Sequence, residues 1–236
     1  MRRICKMTMQ TVPSLAVPEA FSHWLESRGL IYQLLVDFLG RKPSLSLVAQ
    51  WSRNRKMSVA AEMTEGGREL KRYLSQEPNK LPHICEKETQ EYKRLMHEQT
   101  VSSFKLREAA ILGRSEDFCN VLADVYTSAG IVFNKCNGEA DDHIAIELEF
   151  MAVMHERMLY NSFSIRSAMD LLDIQVAFLE DHLLQWTPQF CEKLNAATNS
   201  TLYLGLSHML AEFLPLDLQM LRSWRASLES SATAMV

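Results

Sequence analysis

Whether this chain is all-helical depends on residues 144–158, which read IAIELEFMAVMHERM. Apolar residues alternate from Ile144 to Phe150, as they do on a half-buried strand. Helical spacing, three or four positions apart, extends over the whole segment: Ile144, Leu148, Met151, His155 and Met158. The segment is longer than an ordinary strand, and Asp141-Asp142 precede it, where the acidic caps of a helix belong. A helix is therefore predicted.

The rest of the chain also favours helices, because only 8 Gly and 7 Pro interrupt its 236 residues. A first helix is predicted from Pro18 to Leu39. Gly66-Gly67 predicts a kink or a split, and Gln185–Pro188 and Pro215 predict two helix ends. The predicted fold is all-α, a compact bundle of about ten short helices in two lobes joined by an acidic hinge.

The predicted domain organisation places the hinge at residues 138–143. The N-terminal helical lobe covers residues 17–137 and the C-terminal lobe covers residues 144–226. Residues 1–16 and 227–236 are predicted to be flexible ends.

Composition excludes several classes of partner. The formal net charge is −4 and the basic residues are scattered, so nucleic-acid binding is not expected. No run of about 18 apolar residues occurs, so membrane insertion is not expected either. The five cysteines are odd in number and form no C-x-x-C pair, which indicates reduced thiols and a cytoplasmic protein.

Sequence motifs for catalysis are missing. The chain has no phosphate-binding glycine loop, no nucleophile elbow, no H-E-x-x-H motif and no pair of E-x-x-H motifs. We therefore expect no enzymatic activity, no cofactor and no metal. One alternative stays open, a helical metal-dependent hydrolase using His143 and Glu147, which are four residues apart. A generic protein-interaction scaffold is the other.

The segment Glu139-Ala-Asp-Asp-His143 has two interpretations. It can be a capped helix start whose acidic side chains are simply solvated. It can also be an acidic hinge, in which carboxylates beside a histidine hold an arginine or the backbone amides of a partner peptide.

Several motifs resemble one known family. Glu139-x-x-Asp142-His143-Ile144, continuing into Glu147-Leu-Glu-Phe-Met151, is similar to the E-P-x-D-H segment of the TorD/DmsD/NarJ redox-enzyme maturation chaperones. Four further segments resemble that family in the same order, over roughly residues 25–222: Arg28–Leu35, Glu91–Met96, Tyr126 with Gly130, and His182–Trp186 with Phe190 and Tyr203.

The resemblance implies a chaperone that binds the twin-arginine signal peptide and the apo-subunit of a molybdopterin oxidoreductase. Such a chaperone assists cofactor insertion and delays export. It implies partner-binding hinge residues: Glu139, Asp141, Asp142 and His143. It also implies groove residues: Tyr32, Tyr92, Leu95, Phe104 and Tyr126. A monomer or a hinge-exchanged dimer, and weak guanine nucleotide binding, are implied as well.

The chain departs from the family pattern at two places. Ala140 replaces the usual proline of the hinge, which predicts a less rigid turn. The loop at residues 99–108 lacks the usual prolines and keeps one aromatic residue, Phe104.

Overall fold

The computed structural model describes residues 18–96, 106–115, 117–134, 139–160 and 164–234. Its α-helices are α1 (Glu19–Gly40), α2 (Leu45–Arg53), α3 (Met57–Glu62), α4 (Glu65–Leu74), α5 (Leu81–Met96), α6 (Glu108–Leu112), α7 (Phe118–Ser128), α8 (Ile144–Tyr160), α9 (Ile165–Phe178), α10 (Leu184–Ala197) and α11 (Thr201–Ala234). A 3₁₀ turn (Pro78–Lys80) precedes α5, and a π-helical turn (Leu179–Leu183) joins α9 to α10. Within the described residues there is no strand, so the all-α prediction is confirmed.

The first helix packs against α8 in an antiparallel arrangement. Gly40 at the end of α1 lies against Ala145 near the start of α8, and Gly29 lies against the ring of His155. A Cβ atom at Gly29 would come within 2.5 Å of the His155 ring, so only glycine allows this approach. Residues 144–158 lie within helix α8, as predicted, and form one side of the α1–α8 interface.

Glycines also form the contact between α4 and α11. The predicted split near Gly66-Gly67 is confirmed, because α3 and α4 are separate helices. The glycines themselves, however, lie in the first turn of α4, where a Cβ on Gly66 would be 2.3 Å from the backbone nitrogen of Met209. Gly205 faces Leu70 across the same contact. These glycines therefore serve close helix packing.

The predicted helix ends at Pro188 and Pro215 are wrong. Pro188 lies inside α10 and Pro215 lies inside α11. Each proline removes one backbone hydrogen bond, but the side chains around it, such as Phe190 and Phe213, are fully buried. Packing therefore outweighs the local cost. Helix α11 continues to Ala234, within the segment predicted to be a flexible tail.

A buried ion pair joins α1 to α11. Arg28 donates from Nε to Oδ1 of Asp217 at 2.7 Å and from Nη2 to Oδ2 at 2.9 Å. Tyr32 donates its hydroxyl proton to Oδ2 at 2.6 Å, and the Trp24 indole N–H donates to Oδ1 at 2.9 Å. Because Asp217 has no exposed surface, its charge is balanced within the protein alone.

The two largest helix interfaces, α1–α8 and α4–α11, each connect residues before the hinge with residues after it. The buried apolar side chains of both halves belong to one core. The division into lobes stays a prediction. None of the described helices is long and apolar enough to span a membrane.

Substitution of Asp217 by alanine is expected to lower the free energy of unfolding by about 3–5 kcal/mol, because it leaves the Arg28 guanidinium buried without its partner. Urea unfolding followed by circular dichroism measures this change. Asp173→Ala is the matched control, since Asp173 is half-exposed and pairs with Arg225 at the surface. We expect that control to lose about 1 kcal/mol or less, and equal losses would contradict the prediction.

Candidate functional site

Residues 139–143, the described part of the predicted hinge, lie beside the segment that leads into α6. The backbone N–H of Ile144 donates to the Leu106 carbonyl at 2.8 Å, and the N–H of Glu108 donates to the Asp142 carbonyl at 2.9 Å. Arg107 and His143 form an isolated antiparallel bridge between them. The hinge is therefore attached to α6 by its backbone.

Asp142 strengthens this attachment with its side chain. Its carboxylate is fully buried, and Oδ1 accepts from Nε of Arg107 at 2.8 Å. Oδ2 accepts from the backbone N–H of Ala109, in the first turn of α6, at 3.1 Å. Asp142 therefore caps α6, and the prediction that it caps the helix after the hinge is wrong.

Helix α8 is capped by His143 and not by Asp142. Its Nδ1 accepts a hydrogen bond from the backbone N–H of Ala145 at 3.1 Å. Burial lowers the pKa of His143, although the charges of Glu139 and Asp142 act in the opposite direction. The imidazole is therefore a neutral cap at neutral pH.

Two other hinge acids, Glu139 and Asp141, are half-buried. The carbonyl oxygen of Asp141 accepts a hydrogen bond from the Tyr126 hydroxyl at 2.9 Å. Burial raises the pKa of Tyr92, and the negative charge of Glu139 adds to this rise. Glu139 therefore acts electrostatically on α5 as well as on His143.

Glu139 is one member of a group of acids that the sequence did not reveal. Burial raises the pKa of Glu149 on α8; the charges of Glu139 and Asp37 raise it further, while Arg41 opposes them. Asp37 accepts from Trp51 Nε1 at 2.9 Å and lies 3.7 Å from Arg41. We call Glu139, Glu149 and Asp37 the acidic patch. An aspartate within the apolar run of α1 was the available sequence signal for it.

Two further carboxylates lie beneath the hinge, Glu108 and Glu147, and both are fully buried. Oε2 of Glu108 lies 3.2 Å from Nδ1 of His182 on the π-helical turn, and Oε1 forms an ion pair with Arg114 at 3.2 Å. Oε2 of Glu147 accepts from Trp186 Nε1 at 3.1 Å. Burial and the nearby charge of Glu108 raise the pKa of Glu147 well above its usual value, which favours its protonated form.

The contacts of His143 and Glu147 do not support a metal site on these two residues. His143 Nδ1 accepts from a backbone N–H, whereas the Glu147 carboxyl points into the core toward Trp186. In the ranges that the structure describes, no group of three or more His, Cys, Asp or Glu side chains is arranged to hold a metal ion.

The predicted groove residues are core residues. Tyr32, Tyr92, Leu95 and Tyr126 expose between 0% and 7% of their surface. Their large apolar surfaces are used in packing, so the prediction that they line an open groove is not supported in this conformation. Phe104 lies outside the described residues.

Comparison with known proteins identifies relatives of this chain. The sequence model of a family described as nitrate reductase delta subunit matches residues 56–192, more than half of the chain. Chaperone protein TorD of Photobacterium profundum is 33% identical over 98 residues, covering 42% of this chain and 44% of that protein. Chaperone protein TorD of Vibrio atlanticus is 30% identical over 101 residues, covering 42% and 46%.

A third relative, chaperone protein TorD of Vibrio cholerae, is 25% identical over 150 residues, covering 50% of this chain and 67% of that protein. The chain thus spans about half the length of the first two relatives. No solved structure shows a significant match.

The buried carboxyl of Glu147 predicts a pH dependence of stability. Because its pKa is raised in the folded state, the folded protein binds more protons than the unfolded chain above about pH 4.5, and the free energy of unfolding falls as pH rises. Glu147→Gln keeps an acceptor for Trp186 and removes this dependence. In urea unfolding at pH 5 and pH 8, the variant should therefore lose less stability, or gain more, between pH 5 and pH 8 than the unsubstituted chain does.

Glu156→Gln is the control for that measurement, because Glu156 is exposed on the same helix. We expect it to keep the pH dependence of the unsubstituted chain. A Glu147→Gln variant with the same pH dependence as this control would contradict the assignment.

Proposed function

The chain belongs to the nitrate reductase delta subunit family, and on this premise we propose that it is a maturation chaperone for a molybdenum-cofactor oxidoreductase. In this proposal it binds the twin-arginine signal peptide and the apo-subunit of its partner in the cytoplasm, assists cofactor insertion and delays export. The relatives are chaperones by name, which supports a binding role and not an enzymatic one.

The acidic patch is the observation that carries the proposal. Glu139 and Asp37 each repel Glu149, because the charge of each raises the pKa of Glu149. Arg41 compensates only in part, since its side chain is 60% exposed and lies 3.7 Å from Asp37. An arginine from a partner would relieve this repulsion and form charge-assisted hydrogen bonds in a bidentate geometry.

The contacts assign different tasks to the predicted hinge residues. Asp142 and His143 use their side chains to cap α6 and α8, so we propose that they hold the hinge in place. Glu139 and Asp141 are half-buried, and together with Glu149 we propose them as the residues that contact the partner.

Two further properties follow from family resemblance alone. A hinge-exchanged dimer would use the connection between α7 and α8, and guanine nucleotide would bind weakly. Both stay predictions.

The proposal is tested by calorimetric titration with a synthetic peptide that carries two adjacent arginines followed by leucines. The double variant Glu139→Gln with Glu149→Gln should bind this peptide about tenfold more weakly or worse at low salt, because charge-assisted hydrogen bonds to both side chains are lost. Its affinity should also depend less on salt concentration.

A matched control removes the same charge elsewhere, through Glu62→Gln with Glu86→Gln, two exposed positions outside the patch. This control should bind as the unsubstituted chain does. Equal affinity of both double variants would refute the role of the patch, and a chain that does not bind the peptide at all would refute signal-peptide binding.

A further inference from the structure

A cavity of about 490 Å³ lies between α1, α3 and α8, away from the hinge. Its apolar wall is formed by Leu25, Leu30, Val59 and Leu159. Val59 and Leu159 are 36% and 49% exposed and are two of the five large apolar side chains that the described residues expose to this degree. Two of these side chains in one concave site indicate a place where an apolar group binds.

The floor of this cavity includes His155, which is only 5% exposed. Its ring packs against Gly29, and its Nδ1 has no hydrogen-bond partner among the described residues. Burial, together with the charge of Arg28, lowers the pKa of His155 to about 3, so the ring is neutral at physiological pH. A neutral ring at the floor suits an apolar side chain, and the charged lining residues Glu26 and Lys56 are exposed to solvent.

The cavity and the acidic patch lie on one face of the α1–α8 pair. Residues three or four apart on α1 form this face: Ser22, Glu26, Leu30, Gln33 and Asp37. Ser22, Glu26 and Leu30 line the cavity, whereas Asp37 belongs to the patch. From Leu30, the apolar residue of this face at the cavity, to Asp37 is seven positions, or about 10 Å along the helix.

Helix α8 gives the same arrangement. Glu149 belongs to the patch and Leu159 lines the cavity, ten residues or about 15 Å away. Because α1 and α8 are antiparallel, the acidic end of one helix lies beside the acidic end of the other. The apolar ends meet in the same way at the cavity.

We propose that the cavity and the acidic patch are the two ends of a single docking surface, which binds one peptide segment of the client through an arginine at the patch and an apolar side chain at the cavity, about 10–15 Å apart. This inference rests on the proposed function, because it assumes that the patch holds the arginine. It adds a second contact site for the peptide, the cavity, and a defined spacing between that site and the patch.

The test compares two peptides and two chain variants in the same calorimetric titration. One peptide carries two arginines followed by leucines, and in the other every leucine is replaced by serine. Leu159→Ser should bind the leucine peptide about five- to tenfold more weakly, because part of the apolar contact is lost. It should bind the serine peptide as the unsubstituted chain does.

Leu45→Ser is the matched control, since Leu45 is 48% exposed and lies on α2, outside the cavity. It should change the affinity for neither peptide. Val59→Ser, on the opposite wall of the cavity, should reproduce the pattern of Leu159→Ser, which guards against a local folding defect in either variant.

The outcomes separate this inference from the function on which it rests. If Leu159→Ser and Val59→Ser bind the leucine peptide as tightly as Leu45→Ser does, while Glu139→Gln with Glu149→Gln binds it weakly, the cavity assignment is overturned and the chaperone proposal stands. If the unsubstituted chain binds neither peptide, both are overturned.

Discussion

The close packing of α1 against α8 is the contact on which the site depends. Glycine at position 29 lets the His155 ring approach α1, and glycine at position 40 lets Ala145 approach its end. This packing places Asp37 and Arg41 within electrostatic range of Glu149, and it forms the cavity at the other end of the same pair. Larger side chains at the two glycines would separate the helices and thereby disrupt both the acidic patch and the cavity.

Buried carboxylates divide into two groups with different physical tasks. Asp142 and Asp217 are fully buried, and each is paired with an arginine and with N–H donors. Removing one partner of such a pair is costly, so these acids specify how the helices meet. In the patch, Asp37 is 3% exposed and accepts from Trp51, so it belongs with the buried acids, whereas Glu139 and Glu149 are half-buried and keep surface that a partner can reach. Burial thus separates acids that hold the fold from acids available for recognition.

The spacing of apolar residues predicted the helices well, because the side chains that one face of a helix buries recur every three or four positions along the sequence. It failed at Pro188 and Pro215, where buried neighbours outweigh the loss of one hydrogen bond. The segment at residues 139–143 was singled out from its residues, but the role of Asp142 was not, since its partner Ala109 lies 33 residues earlier in the chain. Local spacing cannot show which way a side chain in a turn points.

The composition of the acidic patch also limits how tightly it can bind a cation. Arg41 already lies near Asp37, and its charge lowers the pKa of Glu149 against the effect of the two acids. A partner arginine therefore competes with an arginine of the chain itself, and the net electrostatic gain is a difference between two similar contacts. Specificity on such a surface requires a second contact of another kind. The apolar cavity about 10–15 Å away supplies one, because burial of an apolar side chain there does not depend on charge.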